Sequence, residues 1–109
     1  KQNKPVPPPF IGATLQDLTE TAARQLGLKD TKGSVVVNIL YNSPAYKADL
    51  RQYDVIVGMD GQKYDTTQDL IRAIQNKKVG EKAVLDVIRG GNQVQITVEI
   101  GDKNDFNVQ

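Results

Sequence analysis

The stretch Phe10-Ile11-Gly12-Ala13-Thr14-Leu15 decides the fold, because it places a glycine between apolar residues where a short strand begins. Glycine has no Cβ, so the backbone can turn at Gly12 and another molecule can approach its N–H groups closely. Successive N–H groups that face one side form a concave anion site, which suits a terminal carboxylate. The strand that follows would offer an open edge beside that site. We therefore expect the rest of the chain to build a small scaffold behind this loop and strand.

The composition is that of one soluble globular domain. The chain has 109 residues, of which 39% are apolar and 25% are charged. These values fit a packed core and exclude wholesale disorder. Lys and Arg number 14 against 13 Asp and Glu, a net charge of +1, so no basic surplus indicates nucleic acid or an anionic membrane as a partner. No apolar run approaches the roughly 20 residues that a membrane helix needs.

Two absent residue types limit the chemistry. The chain has no Cys, and therefore neither a disulfide nor a thiolate metal site. It has no His, which removes the commonest general base and the commonest metal ligand. An enzyme would have to work with carboxylates such as those of Asp17, Glu20, Asp54, Asp60, Asp65 and Asp69. Most of these lie at predicted caps or turns, where Asp has a local structural role, so we expect no catalytic residue, metal or cofactor.

Hydrophobic periodicity predicts several hairpins and two or three short helices. Strands are expected over residues 10–16, 34–40, 55–59, 62–64, 83–88 and 94–100, and helices over residues 21–26, 44–48 and 67–76. Strands do not alternate regularly with helices, which argues against a doubly wound sheet. The pattern favours a mainly β fold with short helices (α+β). It predicts a small, partly open antiparallel β-barrel or sandwich of five or six strands, capped by the helices.

The two ends differ in composition from the middle of the chain. Pro5, Pro7, Pro8 and Pro9 fix φ and remove donors, so residues 1–9 are predicted to form a semi-stiff linker between domains. Residues 10–101 form the predicted domain, and the polar residues 102–109 are predicted to be a flexible tail. Because the chain begins with Lys rather than Met, we interpret it as part of a longer protein.

Several separated motifs occur in an order that resembles one family. They are Phe10-Ile11-Gly12-Ala13, the strand from Gly33 to Ile39, Ser43-Pro44-Ala45, Leu50, Asp54-Val55-Ile56, Asp60-Gly61-Gln62, Asp69-Leu70, Val79-Gly80 and Arg89-Gly90. Together they resemble a PDZ domain of the bacterial HtrA/Deg (DegP-like) serine-protease family, over roughly residues 10–100. The resemblance implies a PDZ-like fold of the circularly permuted bacterial type. The Pro-rich lead-in resembles the linker between the protease and PDZ domains of that family.

The chain departs from the family pattern at three positions. Asp49 and Tyr53 occupy places where the family usually has glycine, and Phe10 stands where the family often has tyrosine. Asp tolerates the left-handed conformation better than most residues, so we expect it at Asp49. Tyr53 is harder to accommodate there. Both positions lie far in sequence from the predicted binding loop.

The resemblance implies that a peptide C-terminus binds as an added strand. The loop Phe10-Ile11-Gly12-Ala13 would hold the terminal carboxylate with the N–H groups of Ile11, Gly12 and Ala13. Thr14, Leu15 and Gln16 would supply ladder hydrogen bonds along the peptide. A pocket for the last side chain would have Ile11, Ala13 and Leu15 on one wall and Thr67, Ile71 and Ile74 on the other. Some alternatives stay open: Leu70 and Ile74 suit the core better than the groove, Ile11 suits either, and Ile71 is either groove or bare surface.

The function implied by the resemblance is a non-catalytic, peptide-binding module of an HtrA/Deg-type serine protease. It would capture unfolded or mislocalised proteins by C-termini with apolar ends, and feed or regulate the protease domain upstream, in the periplasm or another extracytoplasmic compartment. Three alternatives remain at this point. The module is the PDZ domain of another envelope protease, an assembly module that holds protease subunits together, or, on the carboxylates named above, an enzyme in its own right.

Overall fold

The computed structural model describes residues 9–29 and 31–106. The predicted linker before Pro9 and the last three residues of the predicted tail lie outside the described residues. The strands are β1 (Pro9–Phe10), β2 (Ala13–Asp17), β3 (Ser34–Ile39), β4 (Val55–Met59), β5 (Gln62–Lys63), β6 (Lys82–Arg89), β7 (Asn92–Glu99) and β8 (Gly101–Asp102). The helices are α1 (Glu20–Gln25), α2 (Pro44–Lys47) and α3 (Thr67–Gln75), and a 3-10 helix follows at Lys103–Phe106.

Six of these strands form one antiparallel sheet. Its order is β2-β3-β4-β6-β7, and β5 pairs with β4 beside this path. The remaining strands, β1 and β8, form a separate antiparallel ribbon in which Pro9 faces Asp102 and Phe10 faces Gly101. Consequently β2 and β7 are the two edges of the main sheet. The predicted fold class, a small open antiparallel β structure with short helices, is confirmed.

The structure corrects the sequence prediction at the two ends of the domain. Residues 10–16 were predicted as one strand, but Ile11 and Gly12 separate β1 from β2, because Gly12 takes a φ of 85°. Residues 102–106 were predicted to begin a flexible tail. Instead Asp102 ends β8 and residues 103–106 form the 3-10 helix, because β1 supplies a partner strand for Gly101 and Asp102 that local sequence does not reveal.

Alternation along the strands fills both faces of the sheet. Val36 and Ile56 point into the main core, where Leu70 of α3 is also buried. The preceding residues, Val35 and Val55, pack on the opposite face with Leu18 and with Ala23 of α1. Ser43 caps α2, and Pro44 begins this helix at the predicted residue. The helices therefore cover the sheet on both faces, and within residues 9–29 and 31–106 its two edge strands have no partner on their outer sides.

The two residues that replace family glycines both adopt left-handed backbone conformations. Asp49 has φ 68°, as expected, and Tyr53 has φ 73°. Tyr53 tolerates this because its side chain is exposed and its N–H donates to the carbonyl of Val36 at 2.7 Å. The N–H of Val36 in turn donates to the carbonyl of Asp54 at 2.8 Å. These backbone bonds offset a strain of about 1–2 kcal/mol for a non-glycine residue.

A buried ion pair fixes this same turn to β6. The Asp54 carboxylate is almost fully buried and accepts from Nε and Nη2 of Arg89 at 2.9 and 2.7 Å. Arg89 also donates to the carbonyl of Asp49. The hydrogen bonds to Asp54 raise the pKa of Arg89 above its usual value. A bidentate pair of this kind is directional as well as attractive, so it holds residues 49–54 against the sheet.

Removing this pair should destabilise the domain strongly. Arg89→Met would leave the Asp54 carboxylate buried without its charged partner, and we expect the free energy of unfolding to fall by about 3 kcal/mol. The matched control is Arg72→Met, which breaks an exposed pair with Asp69 and should change stability little. Urea denaturation at neutral pH measures both. Equal effects of the two substitutions would contradict the structural role given to Arg89.

Candidate functional site

The loop between β1 and β2 requires glycine at position 12. Gly12 has φ 85°, a conformation that residues with a side chain rarely adopt. A Cβ built on Gly12 would also overlap the Cβ and Oγ of Ser43, which is completely buried. Both backbone conformation and close packing therefore exclude other residues. The turn redirects the chain from the β1–β8 ribbon into the edge strand of the main sheet.

Two carbonyl groups of this loop are held by one neighbouring segment. Residues 40–45, here called the brace, connect β3 to α2. The N–H of Ala45 donates to the carbonyl of Ile11 at 2.7 Å, and the N–H of Leu40 donates to the carbonyl of Gly12 at 2.8 Å. No peptide bond among the described residues is cis. In a trans peptide the N–H points opposite to the C=O, so the N–H groups of Gly12 and Ala13 point away from the brace.

These loop amides are available to a ligand. Within residues 9–29 and 31–106, the N–H groups of Ile11 and Gly12 donate no hydrogen bond. Ala13, the first residue of β2, faces Ile39 across the ladder. Because Gly12 directs its carbonyl towards β3 and successive residues alternate, the polar backbone groups of Ala13 face the outer side of β2. The N–H groups of Gly12 and Ala13 thus point to one side of the loop, and the binding of a carboxylate by residues 11 to 13 stays a prediction.

The outer edge of β2 is unpaired in the part of the chain that the structure describes. The strand pairs only with β3, from Ala13 opposite Ile39 to Asp17 opposite Ser34. Just beyond it, the N–H of Leu18 donates to the carbonyl of Gly33. With Gly12 and Leu18 both turned towards β3, the alternation turns Ala13, Leu15 and Asp17 outwards. A peptide laid along this edge would bond with those three residues.

This register refines the predicted ladder residues. Thr14, Leu15 and Gln16 were all expected to supply hydrogen bonds to a peptide, but Thr14 and Gln16 direct their backbone groups inward, opposite Asn38 and Val35. Only Leu15 of the three faces the open edge. The reason is the alternation of an antiparallel strand, in which every second residue serves the existing neighbour. Thr14 and Gln16 can therefore contact a peptide only through their side chains, which are exposed.

Helix α3 lies beside β2, where the sequence predicted the second wall of a peptide groove. Thr66 caps it by accepting from the N–H of Asp69, and the helix contacts both β1 and β2. The N–H of Thr67 donates to Oδ1 of Asp17 at 2.7 Å, and the hydroxyls of Thr67 and Ser34 lie 2.8 Å apart. These bonds fix the first turn of α3 to the end of β2 and the start of β3. The width of the groove is therefore set at that end by Asp17 and Thr67.

The predicted pocket residues divide between core and groove. Ile11 and Ile74 belong to the buried core, together with Leu70, so their contribution to a ligand surface is small. Ala13 and Leu15 are half-buried and pack against that core from β2. Ile71 is 40% exposed. It lies one helical turn after Thr67 and hence on the helix face that meets β2, which favours the groove over bare surface.

Three of the carboxylates considered for catalysis form structural bonds. Asp17 binds the N–H of Thr67, and Asp54 binds Arg89. Asp60 binds Lys77 and the N–H of Val84, and the hydrogen bond from Lys77 is the main reason that the pKa of Asp60 is lowered. Among the described residues, no group of acidic side chains could hold a metal ion. The geometry supports binding through backbone groups.

A model of the PDZ domain family matches residues 9–100. The chain belongs to the PDZ domain family. This match covers β1 to the end of β7, and so includes the loop, the open edge of β2 and α3. The matched region is a PDZ module and not a protease domain, as the sequence predicted.

The relatives of this PDZ domain are described as serine endoproteases. It is 33% identical over 100 residues to a probable periplasmic serine endoprotease DegP-like from Pseudomonas putida (strain F1), which covers 92% of this chain and 21% of the relative. A protein of the same description from Chlamydia trachomatis serovar D is 35% identical over 91 residues, covering 84% of this chain and 18% of the relative. This PDZ domain thus spans about a fifth of the length of these relatives. The predicted HtrA/Deg type is confirmed.

Solved structures of this type include peptide complexes. The HtrA-type protease AlgW with a decapeptide superposes with a TM-score of 0.80 at 29% identity, covering 88% of this chain and 30% of that one. The HtrA3 PDZ domain bound to a phage-derived ligand (FGRWV) has a TM-score of 0.74, with coverage of 93% and 94%. At 20% identity, this second likeness shows the shared fold alone.

Two contributors to the site were not recognised from sequence. The brace was identified only as the start of a helix, at Ser43-Pro44-Ala45, and its two backbone donors carry no side-chain signal. Asp17 was considered only as a candidate acid, although it tethers α3. An Asp at the end of a predicted edge strand can bind a first-turn N–H group that the cap of a distant helix leaves unpaired, and this pattern would have indicated such a tether.

The tether of α3 should give the domain a specific acid sensitivity. The hydrogen bond from Thr67 lowers the pKa of Asp17 in the folded state. The ionised carboxylate therefore contributes stability above its unfolded pKa, near 3.9, and that contribution disappears as the pH falls through the lower, folded-state pKa. Asp17→Asn keeps an oxygen acceptor but does not titrate. In urea denaturation at a series of pH values, the midpoint of the variant should decline less than that of the original chain between about pH 5 and about pH 2. Parallel declines would contradict the tether.

Proposed function

We propose that this PDZ domain captures the C-terminal ends of polypeptide chains by strand addition along β2. The observation that carries the proposal is the anchoring of the Ile11 and Gly12 carbonyls by Ala45 and Leu40. This anchoring directs the N–H groups of Gly12 and Ala13 to one side before any ligand binds. Because these donors need not reorganise, a carboxylate gains their hydrogen bonds without an ordering cost in the loop.

The terminal carboxylate supplies the largest part of the recognition. Hydrogen bonds to a charged group contribute roughly 1.5–3 kcal/mol each, and the loop offers the N–H groups of Ile11, Gly12 and Ala13. Further along the peptide, the backbone of Leu15 and Asp17 continues the ladder. After the loss of translational and side-chain freedom, we expect micromolar affinity, near −8 kcal/mol.

The last side chain of the peptide is apolar. Ala13 and Leu15 form the floor beside it, and Ile71 of α3 stands opposite. Burying an aliphatic side chain between them contributes about 1.5–3 kcal/mol. Thr67, at the far end of the groove, meets residues further from the C-terminus. Ile11 and Ile74 shape the pocket from beneath as part of the core.

The larger role follows from the relatives. As a PDZ module of an HtrA/Deg-type serine endoprotease, the domain binds exposed C-termini of unfolded or mislocalised proteins, and feeds or regulates the protease domain to which it is joined. The description of the relatives as periplasmic and the peptide-bound AlgW structures support this proposal. They also support a location in the cell envelope. Among the described residues, no helix is long and apolar enough to cross a membrane.

Amidation of the peptide should abolish most of the binding. A pentapeptide that ends in valine is titrated by calorimetry as the free acid and as the C-terminal amide. We expect the amide to bind at least about tenfold more weakly, because it loses the charged acceptor for the loop amides. Equal affinities of the two peptides would contradict a contribution of the terminal carboxylate to binding.

Position 12 offers a test with a closely matched control. Gly12→Ala forces a methyl into Ser43 and displaces the loop, so we expect free-acid affinity to fall by at least about tenfold. Gly61 has the same φ of 85° but has open space around its missing Cβ. Gly61→Ala should cost about 1–2 kcal/mol of unfolding free energy with no loss of peptide affinity. If both variants bind as tightly as the original chain, the loop is not the site.

The apolar pocket is tested at Ile71. Ile71→Ala should weaken binding of the valine-ended peptide about fivefold, since it removes part of the buried apolar contact. Val79→Ala removes a similar side chain of nearly equal exposure, 39% against 40%, outside the groove and should leave affinity unchanged. Calorimetry with the free-acid peptide measures both. Unchanged binding by the Ile71 variant would place this residue on bare surface.

A further inference from the structure

The brace has hydrogen bonds and a ring contact of its own. The N–H of Ser43 donates to the carbonyl of Leu40 at 3.2 Å, and Oγ of Ser43 accepts from the N–H of Tyr46 at 3.2 Å. Asn42, between them, is left-handed with φ 65°. On the outside, the exposed rings of Tyr41 and Tyr46 contact each other at a centroid distance of 4.9 Å. The two loop-anchoring donors therefore belong to one rigid turn with Ser43 inside it.

The brace also packs closely on both strands that flank the loop. Ser43 lies directly against Gly12, with no room for a methyl group between them. Pro44 lies against Gly101 of β8, where an added Cβ would come within 2.8 Å of the proline Cγ. Gly101 is the ladder partner of Phe10. The loop is thus confined between the brace and the ribbon that leads into it.

A small displacement of Gly12 relative to Ser43 would change the direction of the loop N–H groups directly. The carbonyl of Gly12 and the N–H of Ala13 belong to one rigid peptide plane, and so do the carbonyl of Ile11 and the N–H of Gly12. If Gly12 is pushed away from Ser43, both planes tilt and both N–H groups turn from their common direction. Hydrogen bonds weaken steeply when the donor is misaligned. The size of the side chain at position 43 therefore affects the affinity for a carboxylate, although Ser43 does not contact the peptide.

From this geometry we infer that Ser43 is a positioning residue that sets the selectivity of the loop for a carboxylate over an amide. The inference rests on the proposed function, because it concerns the same loop. What matters is the small volume of Ser43, whose Cβ and Oγ both lie against Gly12, while the hydrogen bond that the hydroxyl accepts caps α2. A larger side chain at position 43 reduces binding of the free acid selectively, because only the free acid depends on the aligned amides.

Two substitutions at position 43 separate the effect of side-chain volume from the effect of the hydroxyl group. Ser43→Thr keeps the cap and adds a methyl group, whereas Ser43→Ala keeps the volume and removes the cap. Affinities for the free-acid and amidated valine-ended peptides, together with melting temperatures, are measured for both. We expect Ser43→Thr to lower the free-acid affinity about tenfold and to bring the acid-to-amide ratio close to one. Ser43→Ala should lower the melting temperature through loss of the cap and keep the ratio.

A cap-loss control lies at the other side of the domain. Thr19 caps α1 in the same way, by accepting from the N–H of Ala22. Thr19→Ala should lower the melting temperature with no change in either affinity. The positioning role is overturned if Ser43→Thr keeps the acid-to-amide affinity ratio of the original chain. It is also overturned if Ser43→Ala lowers that ratio as much as Ser43→Thr does. If the original chain itself binds the free acid and the amide equally, the proposed function is overturned as well. That result differs from one in which only the variants lose the preference.

A second set of variants applies if Ser43→Thr does not fold. In Gly12→Ala the loss of binding has two sources, the positive φ and the overlap with Ser43. Adding Ser43→Gly relieves the overlap and leaves the positive φ of position 12 in place, and it also removes the cap of α2. The double variant should therefore bind the free acid several-fold more tightly than Gly12→Ala alone, once the effect of Ser43→Gly by itself is subtracted. Equal or weaker binding by the double variant would overturn the inference.

Discussion

The proposed site depends on two backbone hydrogen bonds within the domain. Ala45 and Leu40 hold the carbonyls of Ile11 and Gly12, and the planarity of the peptide bond converts that anchoring into the direction of the next two N–H groups. The side chains nearby are small or absent because the backbone must come close. Gly12 has no Cβ, and Ser43 fills the space against it. The proposed recognition is therefore a property of backbone geometry, supported by packing.

The topology explains why we propose one edge of the sheet as the receptor and not the other. Both β2 and β7 pair on one side only in the described residues. However, β7 follows directly from β6 through the tight turn at Gly90 and Gly91, and α2 packs against it. In contrast, β2 begins at a turn whose amides are directed outwards, and α3 lies beside it as a second wall. An unpaired edge becomes a specific site only when a donor set at one end fixes the register of the added strand.

Much of this arrangement was predictable from the sequence, for identifiable reasons. Gly12 between apolar residues indicated the loop, and the Asp60-Gly61 and Gly90-Gly91 pairs indicated the hairpins, because glycine marks backbone conformations that other residues avoid. The positive φ of Asp49 followed from its place in the family pattern. Ile71 could not be assigned, since an apolar residue beside a helical stripe fits groove or surface equally until the helix has a neighbour.

The brace and the β1–β8 ribbon could not be predicted, because they depend on contacts between residues distant in sequence. Ala45 acts through its N–H, which every non-proline residue has, so nothing in its identity signals the bond to Ile11. Likewise the polar composition after Ile100 suggested fraying, although Gly101 and Asp102 find partners in Phe10 and Pro9. The inward direction of Thr14 and Gln16 required the register of β2 on β3.

The amide signals of Gly12 and Ala13 test the central claim most directly. In a ¹⁵N-labelled sample, titration with a valine-ended free-acid peptide should shift both N–H protons strongly downfield, because each gains a hydrogen bond to a carboxylate. The amidated peptide should leave them nearly unchanged at the same concentration. The account would be contradicted if the free acid leaves both signals in place, or if its largest effects fall on β7.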